Sequence, residues 1–163
     1  MNPRLKTVGA LALLGAALPA NAAVTAGAAL VGAALGAPVP PEPAGGRRTV
    51  MLSGGKMTKA LQLARSFHEA GHRVVLVESG RYRLSGHRFS RAVDAFHVVP
   101  ASGDPTYADA LVEVVEREGV DVYVPVCSPA SSRHDALAKA RLSEHCEVVH
   151  LDPDDLDALD DKA

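Results

Sequence analysis

From Thr49 onward, short apolar runs alternate with segments of helical spacing, and this alternation restricts the fold more than any other feature of the chain. Thr49-Val-Met-Leu52 is a strand-like run that ends in Ser53-Gly54-Gly55. In the segment that follows, Ala60, Leu61, Leu63, Ala64, Phe67 and Ala70 recur at helical spacing, and Gly71 supplies a stop. Arg73-Val-Val-Leu-Val-Glu78 is a continuous β-branched run, the kind buried on both faces of a parallel sheet. A polar, Arg-rich stretch from Ser79 to Arg91 leads to a third strand, Ala95-Phe-His-Val-Val-Pro100. A helix is expected from Thr106 to Glu118, with Ala110, Leu111, Val114 and Val115 inward, then a fourth strand from Val120 to Val126. Ser132 is placed to cap a helix through Leu142, Glu147 to Leu151 forms a fifth strand, and Asp152-Pro153 opens a last acidic helix. The pattern predicts right-handed βαβ units in an α/β, Rossmann-like parallel sheet of about five strands with flanking helices.

In such sheets ligands bind beyond the carboxyl ends of the strands. That rule selects Ser53 to Lys59, Glu78 to Arg83 and Val126 to Ser132 before any motif is considered. The loop Ser53-Gly-Gly-Lys-Met-Thr-Lys59 joins strand to helix, so its glycines would let N–H groups converge on an anion at a positive helix end, beside Lys56 and Lys59. It is not a P-loop: Val50 stands where the first Gly is needed, and Met57 where Ser or Thr would hold magnesium. The third Gly of a dinucleotide fingerprint is missing as well. The competing account is a tight turn that needs Gly for geometry alone.

Other polar residues invite functional and plain explanations in turn. Glu78 ends the second strand, where nucleotide-binding sheets place a ribose-binding acid, but no fingerprint precedes it. Arg81, Arg83, His87, Arg88 and Arg91 either face an anionic substrate or form a solvated surface. Cys127 lies near Ser128, Ser131, Ser132 and His134, which suits a cleft-bordering loop better than a Cys–His nucleophile pair. Cys127 and Cys146 form no CxxC pair and read as reduced thiols. The seven histidines show no metal-ligand spacing, and the acidic residues from Asp152 to Asp161 lack a calcium-loop pattern, so no metal site is expected. A net charge of −2 gives no footprint for nucleic acid.

The first forty residues pose a separate problem. From Thr7 to Pro41 there is no charged residue, and Arg4 and Lys6 precede the run. Val8 to Leu35 is long enough to span a bilayer as one helix, while Pro19 and Asn21 would also suit a short hairpin anchor. Ala20-Asn21-Ala22 offers a signal-peptidase pattern. An anchor, a cleaved signal and a disordered leader all remain open. Pro38 to Gly46 is a linker on each of them. The expected organisation is an apolar leader over 1–37, a Pro/Gly linker over 38–48, a Rossmann-like domain over 49–152 and a junction over 153–163.

Three stretches together resemble one family. Thr49-Val-Met-Leu-Ser-Gly-Gly-Lys-Met-Thr-Lys-Ala-Leu-Gln-Leu-Ala-Arg65, Gly86-His-Arg-Phe-Ser-Arg-Ala-Val-Asp94 and Asp121-Val-Tyr-Val-Pro-Val-Cys-Ser-Pro129 are similar to the start of ATP-grasp carboxylate–amine ligases. The likeness runs from about Arg48 to Lys162 and is nearest to the mycosporine-glycine-forming branch, which joins glycine to 4-deoxygadusol. It implies a pre-ATP-grasp domain of a biosynthetic enzyme in which ATP phosphorylates an acceptor oxygen and an amine displaces the phosphate, with Mg2+ neutralising the phosphates. Leu159-Asp-Asp-Lys162 resembles the junction to the ATP-grasp domain proper, where a basic residue approaches the nucleotide phosphates.

The resemblance implies a substrate- or anion-binding set of Ser53, Gly54, Gly55, Lys56, Cys127 and Ser128, with Lys162 toward the nucleotide and no catalytic residue in this chain. ATP and Mg2+ would serve the full-length enzyme, and a C-terminal ATP-grasp domain, on the same or a second chain, would complete it. The expected location is cytoplasmic-facing, with a membrane contact through residues 8–35. The alternatives are a stand-alone, membrane-tethered module that binds an anion or nucleotide, and a non-functional gene fragment.

Overall fold

A computed structural model of the chain describes residues 3–35, 40–126 and 128–160. The chain divides into two units, Met1–Val39 and Pro40–Ala163.

The first unit is a single helix, α1 (Pro3–Leu35), which runs through Pro19 without a break. The hairpin alternative is therefore not what forms. Ala, Leu and Gly dominate the helix, and its large apolar side chains, among them Leu11, Leu13, Leu14 and Leu18, are exposed. The stretch Thr7–Val31 is 25 residues long, enough in length and composition to cross a bilayer, a test that a signal sequence near the N-terminus also passes.

The second unit is an α/β fold. Its elements run β1 (Thr49–Leu52), α2 (Thr58–Glu69), β2 (Arg73–Ser79), β3 (Ala95–Val99), α3 (Tyr107–Glu118), β4 (Val122–Val124), α4 (Pro129–Leu142), β5 (Glu147–Val148) and α5 (Pro153–Asp160). The five strands form one sheet in the order β3-β2-β1-β4-β5, with every neighbouring pair parallel. Side chains on a strand alternate between faces, and the core divides accordingly. Val50, Leu52, Val74 and Leu76 point toward α2, where Ala60 and Ala64 permit close approach. Met51, Val75, Val77 and Tyr123 point the other way, onto Leu111, Val114 and Val115 of α3 and Ala138 and Leu142 of α4. Central β2 is buried on both faces from Val74 to Val77, as its unbroken β-branched run requires.

The strand starts are held by carboxylates. Asp121 Oδ2 accepts the Thr49 N–H at 2.7 Å, and Asp94 Oδ2 accepts the Val74 N–H at 2.8 Å, so each acid pins the neighbouring strand. Glu118, at the end of α3, receives the Arg73 guanidinium on one oxygen and lies 2.6 Å from His97 Nε2 on the other.

The bounds of α4, β4 and β5 differ most from the sequence expectation. α4 begins at Pro129 rather than after Ser132, because Ser128-Pro129 supplies the N-cap and first-turn proline. The Ser132 hydroxyl instead lies 3.1 Å from His150 Nε2. β4 stops before Pro125, which has no N–H to give the ladder, and β5 is an edge strand whose pairing is confined to Glu147 and Val148. Between β2 and β3 the Arg-rich stretch forms two 3-10 turns, Gly80–Tyr82 and Gly86–Phe89.

Candidate functional site

Strand order fixes where a cleft must open. From β1 the chain moves to β2 and β3 on one side, then crosses back to β4 and β5 on the other. Loops leaving β1 and β4 therefore diverge, which is the position where doubly wound sheets bind ligands. A cavity of about 660 Å3 lies there, lined from the ends of four strands: Ser53, Gly54 and Lys56 after β1, Glu78 and Arg81 after β2, Pro100 and Ser102 after β3, and Val126 and Ser128 after β4. That volume falls within the range of about 300–1,000 Å3 usual for small-molecule sites.

The β1–α2 loop is built tightly. Gly54 has φ +67°, and a Cβ there would lie 1.8 Å from the Val126 carbonyl oxygen, so only glycine lets the β1 and β4 loops approach this closely. Ser53 joins the same two strands: its buried hydroxyl accepts the Val126 N–H at 3.0 Å. Gly55 does not have positive φ and does not line the cavity; a Cβ there would meet Glu78 Cβ at 3.0 Å and the Leu76 side chain. The N–H groups of Gly55, Lys56 and Met57 are bonded to Val77 O, Glu78 Oε2 and Gly54 O, at 3.3, 2.9 and 2.7 Å. A cradle of free N–H groups over these three residues is therefore not what the loop presents, and close packing accounts for both glycines.

Glu78 is the clamp of this arrangement. Besides the Lys56 N–H, its carboxylate receives the Ser79 N–H at 2.6 Å and the Ser79 hydroxyl at 2.9 Å. Those bonds commit it to the loop rather than to a ribose. The Gly55 carbonyl accepts the Ser85 hydroxyl at 3.2 Å and lies 2.7 Å from His87 Nδ1, which ties the Arg-rich stretch over the loop.

What the loop does present is cationic side chains. Lys56 Nζ sits 3.8 Å from the centre of the Tyr82 ring, and the Arg81 guanidinium 5.4 Å from it, so two cations share one aromatic ring at the cleft. Within the basic stretch, Arg81 lines the cavity and the others do not: Arg88 stacks on Phe96 and bonds the Arg83 carbonyl, while Arg83 and Arg91 are exposed. The N-termini of α2 and α4 open onto the same space through Met57 and Ser128, and their dipoles favour negative charge. Ser128 and Ser131 face each other with hydroxyls 3.3 Å apart.

Of the residues expected at the site, Ser53, Gly54, Lys56 and Ser128 line one cavity and Gly55 supports it from behind. Cys127 and Lys162 lie outside the described residues. Cys146 is a free thiol far along the chain, half-buried under β4, and its burial raises the thiol above its usual range. Among the described residues no group of three or more His, Cys, Asp or Glu side chains stands together to hold a metal.

Sequence reasoning missed the polar floor of the cavity. Asp135, on α4, is fully buried; its Oδ1 accepts the hydroxyls of Tyr107 at 2.8 Å and Tyr123 at 3.0 Å. Burial pushes the Tyr123 phenol well above its usual range, with Tyr107 and Asp135 adding to the effect. The sequence did carry a signal: Asp135, Ala138 and Leu142 form one inward stripe of α4, and an acid in an apolar stripe departs from the helical pattern.

No protein-family model matches the sequence, and no curated protein matches it. Solved structures do. The chain is similar to a single-chain, multi-domain long-chain acyl-CoA carboxylase, at 28% identity and a TM-score of 0.54, covering 71% of this chain and 11% of that one. It is also similar to the biotin carboxylase domain of a single-chain bacterial carboxylase, at 22% identity and a TM-score of 0.53, covering 70% of this chain and 26% of that one. A complete multifunctional pyruvate carboxylase from Rhizobium etli matches at 19% identity and a TM-score of 0.50, with 72% and 12% covered. The chain thus spans between 11% and 26% of the length of these carboxylases, whose fold it shares in part.

Proposed function

We propose that this chain supplies the substrate-side α/β domain of an ATP-dependent ligase or carboxylase of the ATP-grasp kind, binding a small anionic substrate for a nucleotide-binding domain. The observation that carries this reading is the cleft at the β1/β4 divergence, where Lys56, Arg81 and the N-termini of α2 and α4 converge. The likeness to carboxylases, one of them a biotin carboxylase domain, supports the same class. The narrower reading, 4-deoxygadusol–glycine ligation, draws only on the sequence likeness, so the proposal stays at the level of the class.

At the β1–α2 loop the N–H groups of Gly55, Lys56 and Met57 are taken, and among the described residues no group of three or more His, Cys, Asp or Glu side chains stands together. In this reading ATP and Mg2+ belong to the partnering ATP-grasp domain, and Lys162 lies on the connection to it. The Thr7–Val31 helix favours a further element of the proposal, a membrane tether that keeps the cleft on the cytoplasmic side, where ATP is available.

The test is an NMR titration of the full chain, in detergent, with acetate and inorganic phosphate. Binding should perturb Ser53–Lys59, Gly80–Tyr82 and Ser128–Ser131, and Lys56→Ala should weaken it about tenfold, the equivalent of one charge-assisted contact. A folded protein in which neither anion moves these signals would refute the assignment.

A further inference from the structure

The floor of the cleft holds a buried carboxylate with half of its bonding capacity unused. Asp135 is 0% exposed, yet it lines the cavity. Both tyrosine hydroxyls converge on Oδ1, and Oδ2 has no hydrogen-bond partner among the described residues. Buried polar atoms are almost always paired, so an unpaired acceptor at the wall of a cavity marks a place where a donor arrives. The tyrosines also fix the carboxylate: with Oδ1 anchored from α3 and β4, Asp135 cannot swing away to satisfy Oδ2 elsewhere. Ser131, one helical turn earlier on α4, lines the same wall.

The cleft is therefore bipolar. Its cationic side, Lys56 and Arg81, suits an anion; its floor, Asp135 Oδ2, suits a hydrogen-bond donor. We propose that Asp135 Oδ2 is a specificity contact for the ligand, accepting from an amine or hydroxyl group of a small molecule whose carboxylate or phosphate lies against Lys56 and Arg81. This rests on the reading of the cleft as a substrate site and narrows it: simple anions bind, and those with a donor at the far end bind better. A site built to bond a donor discriminates strongly against the analogue that lacks it, because the buried acceptor is then left unpaired.

The experiment compares paired acids of equal length on the full chain in detergent: propionate with β-alanine and 3-hydroxypropionate, and pentanoate with 5-aminopentanoate and 5-hydroxypentanoate. Affinities come from the NMR titration of cleft signals. The proposal expects at least one substituted acid to bind about tenfold more tightly than its parent. Asp135→Asn should erase that preference, because the amide that replaces Oδ2 cannot accept from the donor, and Lys56→Ala should weaken parent and substituted acids alike. Equal binding of parent and substituted acids by the wild type overturns the proposal, as does a preference that survives Asp135→Asn. If the variant does not fold, the wild-type comparison decides alone. If no acid of either kind perturbs the cleft, the substrate-site reading itself fails, and the inference falls with it, a result distinct from binding without discrimination.

Discussion

Gly54→Ala tests whether the cleft is held open by close backbone packing. Gly54 sits at φ +67°, a conformation that costs a residue with a Cβ about 1 kcal/mol. The added methyl would lie 1.8 Å from the Val126 carbonyl oxygen and 2.9 Å from its carbon, so the β4 loop must retreat by more than about 1 Å. That retreat strains the bond from the Val126 N–H to the buried Ser53 hydroxyl, and an unmade buried bond costs about 1–3 kcal/mol. Together these give a loss of about 3 kcal/mol. With a urea dependence of about 1.5 kcal/mol per molar, the unfolding midpoint should fall by about 2 M. Gly55→Ala is the control: its φ is not positive and its new methyl meets Glu78 Cβ at 3.0 Å, a contact that a small shift relieves. It should lower the midpoint by less than half as much. Tyrosine fluorescence is a clean probe, because the chain lacks Trp and its three tyrosines, Tyr82, Tyr107 and Tyr123, all lie in the α/β unit. A fall of less than about 0.5 M for Gly54→Ala, or an equal effect from Gly55→Ala, would refute the packing argument.

Two further outcomes are expected. The hydrogen bond from Arg73 holds the Glu118 carboxyl below its ordinary range, against the opposing effect of burial and with His97 adding to the lowering. The stability this contributes is full above about pH 4.3, where the unfolded carboxyl titrates, and is lost as pH falls through the lower folded value. Glu118→Gln should therefore flatten the acid limb of the stability profile measured by urea unfolding, and an unchanged limb would show that the pair contributes nothing there. For the leader, the full chain should sediment with membranes and resist carbonate extraction, while a chain beginning at Pro40 should stay in the supernatant. Recovery of a form starting at Ala23 in an exported fraction would instead establish a cleaved signal.

How far the sequence was legible depended on whether one residue's role is set by its own neighbours in the chain. Val74 to Val77 announced a strand buried on both faces, and Leu111, Val114 and Val115 an inward helical face, because apolar periodicity is local and burial simply enforces it. The start of α4 is equally local, a serine followed by a first-turn proline at Ser128-Pro129 rather than at Ser132. The site was harder to read. That Ser53, Gly54, Lys56 and Ser128 would share a cleft followed from the rule for parallel sheets, which needs only the order of elements. What each residue does there depends on partners distant in sequence. Gly54 answers to Val126, and Lys56 to Tyr82 and, through its N–H, to Glu78, so the loop that looked like an anion cradle became a packed turn with a cation at its rim.

Asp135 shows the complementary case. It stands where the inward stripe of α4 calls for an apolar residue, and local pattern alone would count it as a defect. Two tyrosines from α3 and β4 turn that defect into a fixed acceptor at the base of the cleft. Fold and site thus separate at this residue: the positions that obey the helical period build the cover of the sheet, while Asp135 breaks it and lines the cavity. An apolar residue at 135 would complete the stripe but leave the hydroxyls of Tyr107 and Tyr123 without the oxygen on which they converge. The acid is therefore consistent with a site whose polar floor was assembled from three elements together, rather than with a stray charge tolerated in the core.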